Sequence, residues 1–293
     1  MPMTETQTFL DLRPRLFAIS YRMLGTRQEA EDAVQEAYLK WSQADHGSVQ
    51  SPQAWLVSVT TRLCIDRLRT LKVERQAYVG SWLPEPLVAE VASPEAELEK
   101  AQYLSVAFLL MLEKLSAEER AAFLLREVLD FDYEEIAGAL RRSEGACRQL
   151  VYRARQRLGE PGGRFKPSPD QHRALVEQFA AATAAGNMDR IVALLSEDAR
   201  LMADGGGKVR TVLTPLQGAP RIARFFHVVA RQVAAHAARL DYRLVRVNGE
   251  LGLLRSFNGT LHSVLALETE GERIVSINIV ASPAKLPEMD AIA

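Results

Sequence analysis

The sequence has few of the residues that mark metal sites, disulfide scaffolds and membrane spans. It contains two cysteines, Cys64 and Cys147, and five histidines that do not cluster with them. Two isolated cysteines favour buried thiols over a disulfide or a zinc site, as in a reducing compartment. No apolar run approaches the roughly 20 residues that span a bilayer, and the N-terminal residues lack signal-peptide order. We therefore expect a cytoplasmic protein with no membrane contact, no metal and no cofactor.

An excess of charge of either sign is also missing. The chain has 36 basic and 37 acidic residues, whereas nucleic-acid-binding proteins usually carry a basic excess. Local patches matter more than the total, because salt screens charge interactions beyond about 10 Å. Residues 62–75 hold five basic and two acidic side chains, and residues 141–157 hold six arginines and one glutamate. These two segments are the candidate nucleic-acid-binding surfaces.

Hydrophobic periodicity and clusters of proline and glycine divide the chain into segments. Apolar residues at three- and four-residue steps predict two helices that meet near Gly25, and Ser51 followed by Pro52 predicts the start of a third. The predicted boundaries are residues 1–75 for a first helical domain, 76–100 for an acidic linker with prolines, 101–160 for a second helical domain, 161–169 for a short linker and 170–293 for a mixed domain.

The last segment changes from helical to strand-like patterning. Residues 170–196 are alanine-rich and predicted to be helical, and four β-rich runs follow between residues 239 and 280. Two of the turns between these runs are Asn-Gly pairs, which are strong hairpin signals. Helices followed by a meander of hairpins predict an α+β domain.

The sharpest local motif covers residues 132–158. Asp132 with Glu135 three residues later is a capping-box pattern, and Ser143 is a second N-cap shortly afterwards. Two short helices joined so closely predict a helix-turn-helix. Apolar residues on the second helix repeat every four positions, and the face opposite them carries Arg148, Gln149, Tyr152, Arg155 and Gln156.

This outward face has the chemistry of a major-groove reader, because guanidinium and amide groups can meet purine edges. An ordinary helical hairpin with a solvated arginine face is the simpler alternative. The coincidence of two caps, a short turn and a basic second helix favours DNA binding. Further arginines at the turn and flanks suit phosphates, namely Arg141, Arg142, Arg153 and Arg157.

Most of residues 9–158 resemble the extracytoplasmic-function (ECF) group of sigma-70-family factors. Residues 25–41, GTRQEAEDAVQEAYLKW, resemble the segment that grips the clamp helices of RNA polymerase. Residues 51–69, SPQAWLVSVTTRLCIDRLR, resemble the region that melts and reads the −10 element, and the helix-turn-helix corresponds to the −35 reader. The resemblance implies two all-α sigma domains, region 2 in residues 1–75 and region 4 in residues 101–160, which bind core RNA polymerase and promoter DNA.

The resemblance also assigns roles to individual residues of the first domain. An exposed polar face would contact polymerase through Glu31, Asp32, Gln35 and Glu36, although a solvated acidic face would have the same composition. The −10 DNA would be contacted by Arg62, Arg67 and Arg69, beside a loop at residues 45–50 that would accept a flipped base. Trp41 and Trp55 lie at helical spacing among apolar neighbours, which is more typical of core residues.

Two further motifs resemble a subgroup, the sigma-J type, whose members carry a SnoaL-like, nuclear-transport-factor-2-like domain. They are YVGSWLPEP at residues 78–86 and DGGGK at residues 204–208; a third, normally Asn-Pro-Asp-Lys-Leu, is only partly present as SPAKL at residues 282–286. The family fold is a cone of helices against a curved sheet around a pocket. Three successive glycines also suit a plain hairpin tip between strands near Arg200 and Thr211. The resemblance implies instead a regulatory contact through Trp82, Pro84, Asp204, Gly205, Gly206, Gly207 and Lys208.

Two alternatives stay open, since fold alone does not establish chemistry. One is a ligand-responsive helix-turn-helix regulator that does not use polymerase, which leaves the motifs in residues 25–69 without a purpose. The other is a cyclase- or isomerase-like enzyme in the last domain, with candidate pocket groups Asp204, His227, His236, Tyr242, Arg255 and His262. We predict a sigma factor without catalytic activity, regulated in cis by a SnoaL-like domain whose pocket has room for an unidentified small ligand.

Overall fold

The computed structural model describes residues 5–91, 104–159 and 168–287. The chain forms two compact units, one of residues 1–77 with 109–162, and one of residues 78–108 with 163–293. Both predicted helical domains therefore belong to the first unit. Most of the predicted acidic linker belongs to the second unit, together with the C-terminal domain.

All regular secondary structure in the described part of the first unit is helical. Gly25 ends its first helix at a φ of +83°, a conformation that glycine adopts without strain. Ser51 caps the third helix by accepting a hydrogen bond from the amide of Ala54. The helices are α1 (Glu5–Leu24), α2 (Arg27–Ser42), α3 (Pro52–Glu74), α4 (Val106–Leu112, which begins in the second unit), α5 (Ala117–Phe123), α6 (Tyr133–Leu140) and α7 (Glu144–Leu158).

A buried arginine joins α1 to α5 inside this unit. Arg120 is 1% exposed and donates to the carbonyl oxygens of Leu112 and Met23 at 3.1 and 2.8 Å. Its remaining donors reach Glu113 at 2.8 Å. Since breaking a buried ion pair is strongly destabilising, this cluster helps to hold the two predicted helical domains together in the free protein.

Both cysteines are free and buried, as predicted. Burial raises the pKa of the Cys64 thiol to about 12, which keeps it protonated and unreactive at neutral pH. No helix in the described part of the chain is long and apolar enough to cross a membrane.

The second unit packs helices α8 (Pro169–Ala184), α9 (Met188–Leu194) and α10 (Ala219–Ala235) with a sheet of order β1-β4-β5-β6-β7-β2-β3. Phe179, Ile222, Phe226, Leu253 and Ile277 lie in its buried core. The strands are β1 (Val88–Ala89), β2 (Leu195–Asp204), β3 (Leu216–Gln217), β4 (Leu240–Val247), β5 (Glu250–Phe257), β6 (Thr260–Glu270) and β7 (Arg273–Val280).

The predicted hairpin meander is confirmed. Strands β4 to β7 pair antiparallel in chain order, and Asn248 and Asn258 take the left-handed φ of +51° that such tight turns require. The prediction that residues 170–196 are helical is confirmed for most of the range, as two helices on either side of Gly186, and is wrong at its end, where β2 begins at Leu195. The strand expected near Thr211 is also wrong, since the partner of β2 on that side is β3.

Candidate nucleic-acid interface

Helices α6 and α7 form the predicted helix-turn-helix from caps that are all present. The amide of Glu135 donates to Asp132 Oδ1 at 2.8 Å, and the amide of Asp132 donates to Glu135 Oε2 at 3.0 Å. Arg141 ends α6 in the left-handed conformation with φ of +52°, and Ser143 caps α7. The turn between the helices is therefore fixed at both ends by local hydrogen bonds.

Helix α7 is amphipathic in the predicted sense. Cys147, Leu150, Val151 and Ala154 are buried against the rest of the first unit. Tyr152 is 58% exposed although it is a large aromatic residue. The side chains predicted to face outward are all exposed, namely Arg148, Gln149, Tyr152, Arg155 and Gln156.

The arginines of α7 fall into two classes according to their acidic partners. Arg148 pairs with Glu144 at 2.7 Å on the surface, and such exposed pairs contribute only about 0–1 kcal/mol, so DNA can replace them. Arg153 and Arg157 instead bind Glu119 at 3.2 and 2.8 Å, and this carboxylate is 3% exposed. We therefore expect these two arginines to hold α7 on α5 as well as to meet phosphate.

Several of these cations line one open hollow of about 540 Å³ in the first unit. The hollow brings Arg69 and Arg153, both predicted DNA contacts, together with Lys72, Lys114 and Arg157. Lys72 and Lys114 were missed as site residues because Lys72 lies on α3 and Lys114 in the turn after α4, far apart in the sequence. Five cations around one hollow suit the phosphate backbone of a nucleic acid.

Helix α2 presents the predicted polar face. Asp32, Gln35 and Glu36 are exposed, whereas Glu31 is partly buried and pairs with Arg13 at 2.5 Å. Leu39 lies on the same helix and is 51% exposed. An exposed acidic face with an apolar member suits a basic protein surface, with charge supplying orientation.

The predicted −10 contacts on α3 differ in how firmly they are held. Arg67 donates to both carboxylate oxygens of Glu29 at 2.6 and 2.7 Å, and this hydrogen bonding raises the pKa of Arg67 further. Arg69 is exposed and pairs with Glu118 at 2.7 Å. Burial, followed by the charge of Arg141, lowers the pKa of Arg62. Arg69, which also pairs with Asp66 at 3.0 Å, is the most exposed of the three.

The loop of residues 45–50 packs against the core through an aromatic contact. Trp41 is buried, its indole N–H donates to the carbonyl oxygen of Glu5 at 2.9 Å, and its ring lies 4.3 Å from the ring of His46. Trp55 lies 5.4 Å from Trp41. The prediction that Trp41 is a core residue is confirmed.

In the second unit, a buried carboxylate binds the residues of the YVGSWLPEP motif. We call the group Tyr78, Trp82, Leu83, Asp204 and Lys285 the linker clamp. Asp204 has 0% exposure. It accepts hydrogen bonds from Tyr78 Oη at 2.6 Å, the Leu83 amide at 2.9 Å, the Gly206 amide at 2.9 Å and Lys285 Nζ at 2.7 Å.

Lys285 supplies the positive charge of the linker clamp. It is 7% exposed, donates to the Leu83 carbonyl oxygen at 2.7 Å and lies 4.4 Å from the centre of the Trp82 ring. Burial, followed by the hydrogen bond to Asp204, raises the pKa of Tyr78, so the phenol remains a donor. The clamp is therefore a satisfied buried ion pair with a cation–π contact.

The glycines of the DGGGK motif allow this close packing. A Cβ atom on Gly205 would lie 2.2 Å from the Val209 carbonyl oxygen, and one on Gly206, at a φ of +63°, would lie 2.3 Å from Ser282 Oγ. Of the other predicted contact residues, Pro84 is buried, whereas the Lys208 side chain is exposed. The motif thus positions Asp204 with its backbone, while Lys208 points away from the clamp.

Sequence reasoning missed Tyr78 and Lys285 as site residues. Tyr78 stood inside a recognised motif, and Lys285 is the lysine retained in the partial third motif, so both had a signal. The segment that follows the clamp also joins the sheet: β1 pairs with β4, and the Leu87 amide donates to Asn248 Oδ1 at 3.1 Å. Residues 78–91 are thereby bound to the C-terminal domain along most of their length.

The candidate pocket groups of the second unit do not form one cluster. Asp204 belongs to the linker clamp, while His227 and His236 bind the carbonyl oxygens of Gly186 and Gln232, both at 2.7 Å. Tyr242, Arg255 and His262 do lie together. Within the described residues, no cluster of three or more potential metal ligands occurs.

Comparison with known proteins agrees with this geometry. The family model for sigma-70 region 2 matches residues 8–73, and that for sigma-70 region 4 matches residues 105–158. The chain is 34% identical to the ECF RNA polymerase sigma factor SigJ of Mycobacterium tuberculosis, over 94% of this chain and 88% of that relative. It belongs to the ECF sigma factors.

Other ECF sigma factors support the assignment over the full length. A probable ECF sigma factor of the same organism, SigI, is 29% identical over 95% of this chain and 93% of its own length. The crystal structure of Mycobacterium tuberculosis SigJ superposes with a TM-score of 0.75 at 31% identity, covering 94% of this chain and 96% of that one. The predicted order of two helical sigma domains followed by an α+β domain is confirmed, as is the prediction of sigma factor function.

Proposed function

We propose that this ECF sigma factor directs core RNA polymerase to promoters in the cytoplasm, with α7 as the −35 reader. The exposed face of α7, presented by a turn capped at both ends, carries the proposal. Arg148, Gln149 and Tyr152 would meet base edges, and Arg141, Arg142, Arg153 and Arg155 would meet phosphates or flanking bases.

In the same proposal, α3 contacts the −10 DNA and α2 contacts core polymerase. Arg62 and Arg69 on α3, with Arg67 held against Glu29, would line the path of −10 DNA. The exposed Asp32, Gln35 and Glu36, with Glu31 beside them, would bind polymerase. Opening the ion pair of Arg69 with Glu118 would then accompany binding of DNA.

The linker clamp supports regulation in cis as the finer part of the proposal. Residues 78–91 connect the two sigma domains along the chain, and the clamp binds them to the C-terminal domain at a buried ion pair. A domain that holds this connection limits how far the sigma domains can separate when they engage two promoter elements. Trp82 and Asp204 of the clamp, together with Pro84 and the glycines of residues 205–207, would therefore set promoter activity. The exposed Lys208 would be available for a further contact.

The experiment that tests sigma function is transcription in vitro with purified core polymerase and fragmented genomic DNA, followed by mapping of start sites. If Arg148 makes a bidentate base contact, Arg148→Ala should weaken binding of the −35 element by roughly 1–3 kcal/mol. The resulting loss of transcription should depend on the −35 sequence. Arg173→Ala is the matched control, because Arg173 also forms an exposed ion pair with a glutamate on the same helix, but in the second unit.

Two outcomes would contradict the proposal. An equal loss over all −35 sequences would show that Arg148 touches phosphate, and failure of the chain to bind core polymerase would favour a helix-turn-helix regulator that acts alone. An enzyme in the second unit would require turnover that depends on its candidate pocket groups. Their separation within the unit favours a binding role for it.

A further inference from the structure

Arg255 is a buried cation that has no acidic partner among residues 5–91, 104–159 and 168–287. The residue is 3% exposed, and its Nε donates to Ser263 Oγ at 2.9 Å. Its Nη2 lies 3.4 Å from His262 Nδ1. Its Nη1 is buried and finds no hydrogen-bond partner in that part of the chain.

A second orphan donor lies next to this guanidinium. The register of the sheet places Tyr242, Arg255 and Ser263 side by side on β4, β5 and β6. The oxygen of Tyr242 lies close enough to Arg255 to favour the charged guanidinium, and Tyr242 Oη is buried without a hydrogen-bond partner among the described residues. Two neighbouring donors, Arg255 Nη1 and Tyr242 Oη, are therefore available to bind one external acceptor group.

The neighbours of Arg255 add no opposing charge. Burial, followed by the charge of Arg255, lowers the pKa of His262 to about 4, so the imidazole is neutral near pH 7. The ring of Phe257 lies 5.7 Å from the Arg255 guanidinium and 4.7 Å from the His262 ring. The site thus has one positive charge, two unsatisfied donors and an aromatic wall.

A purely structural role does not account for this arrangement. Burying a charge without a counter-charge is destabilising, and proteins avoid it by pairing. The same unit shows the normal solution, since the buried Lys285 binds Asp204 and a carbonyl oxygen. At Arg255 the described residues offer two hydroxyls, one imidazole and no carboxylate.

We propose that Arg255, Tyr242 and His262 form a binding site for the carboxylate of a small organic acid. A carboxylate has two oxygens in one plane, which match one guanidinium N–H and one phenolic O–H. A single buried positive charge suits a monoanion better than a phosphate dianion. The aromatic wall of Phe257 suits an apolar or aromatic body, and Tyr242 and His262 are only partly buried, so the site can be approached. This site is separate from promoter reading, and its test does not depend on transcription.

The test is isothermal titration calorimetry of the full-length chain with sodium benzoate, acetate and inorganic phosphate at constant ionic strength and pH 7. Benzoate should bind in one-to-one stoichiometry, more tightly than acetate and phosphate. Arg255→Met should weaken binding roughly tenfold or more, as expected for loss of a hydrogen bond to a charged group, and Tyr242→Phe should weaken it less. Arg239→Gln is the control, because the Arg239 side chain is 81% exposed and the residue lies beside Asn258, in the turn that joins β5 to β6.

Each other outcome overturns the proposal. Absence of saturable benzoate binding, tighter binding of phosphate, or equal weakening by Arg239→Gln would show that no carboxylate site of this kind exists. Circular dichroism checks that Arg255→Met folds. If it does not, Arg255→Lys replaces it, because lysine keeps the charge without the fork, and unchanged benzoate affinity in Arg255→Lys and Tyr242→Phe would overturn the site.

Discussion

Replacing Asp204 by asparagine should release residues 78–91 from the C-terminal domain. The carboxylate accepts four hydrogen bonds, and two of its donors, the Leu83 amide and Lys285 Nζ, share Oδ2. In Asp204→Asn one carboxylate oxygen becomes an NH₂ group. If this group takes the place of Oδ2, it cannot accept a hydrogen bond from the Leu83 amide or from Lys285 Nζ. Lys285 then keeps its charge at 7% exposure, next to the Leu83 carbonyl oxygen and two aromatic rings but without the carboxylate that balanced it.

The expected magnitude follows from the burial of this ion pair. Removing one partner of a buried pair costs about 3–5 kcal/mol, and asparagine preserves part of the hydrogen bonding, so we expect about 3 kcal/mol. Because each 1.4 kcal/mol is a factor of ten, the segment should open roughly a hundredfold more often. Met in place of Lys285 should recover part of this loss in the double variant Asp204→Asn/Lys285→Met, since neither charge is then left unpaired.

Hydrogen exchange followed by mass spectrometry measures this opening directly, with the peptide that contains Leu83 as the reporter. Arg243→Gln is the matched control, because Arg243 forms the exposed ion pair that links Glu90 of the same segment to β4. An exposed pair contributes about 0–1 kcal/mol, so exchange in Arg243→Gln should rise less than about fivefold. Equal exchange in Asp204→Asn and the unaltered protein, or equal effects of the two substitutions, would refute the clamp.

Two further predictions concern the same cluster. Gly206→Ala should lower the melting temperature of the second unit more than Gly259→Ala does, because both positions have positive φ but only Gly206 would place its Cβ against Ser282; equal losses would mean that φ alone matters. The raised pKa of Tyr78 means that its neutral form contributes stability that is fully present below the unfolded pKa of about 10 and is lost as pH rises above it. Urea unfolding at pH 8 and above pH 10 should show a fall in midpoint that Tyr78→Phe reduces, and an identical fall in both proteins would contradict this.

The parts of the fold that were predictable are those fixed by neighbouring residues. Asp132 with Glu135, Ser143, and the Asn-Gly turns at Asn248 and Asn258 act within a few residues, so their structures follow from local hydrogen bonds and allowed φ values. The outward face of α7 followed from helical geometry in the same way. Stepping 100° per residue needs no knowledge of tertiary contacts.

The parts that were not predictable depend on partners far along the chain. Strand β2 lies parallel to β7. Strand β1 lies in a segment that the sequence predicted to be a linker, but in the structure it pairs with β4. The ion pair of Lys285 with Asp204 is of the same kind. Local composition says that such residues are polar and proline-rich, but pairing across more than 70 positions is decided by the packing of the whole unit.

The near-zero net charge of the chain does not conflict with a basic DNA-binding surface, because some of its acidic residues pair with the arginines of that surface. Glu118 pairs with Arg69 and Arg142, and the buried Glu119 pairs with Arg153 and Arg157. These carboxylates compensate the arginines of the candidate DNA surface in the free protein, which lowers the total charge without removing the surface. Binding of DNA would exchange intramolecular carboxylates for phosphates at exposed pairs such as that of Arg69, at small energetic loss. A neutral composition is therefore compatible with nucleic-acid binding when the acidic partners of the DNA-binding arginines lie in the same domain.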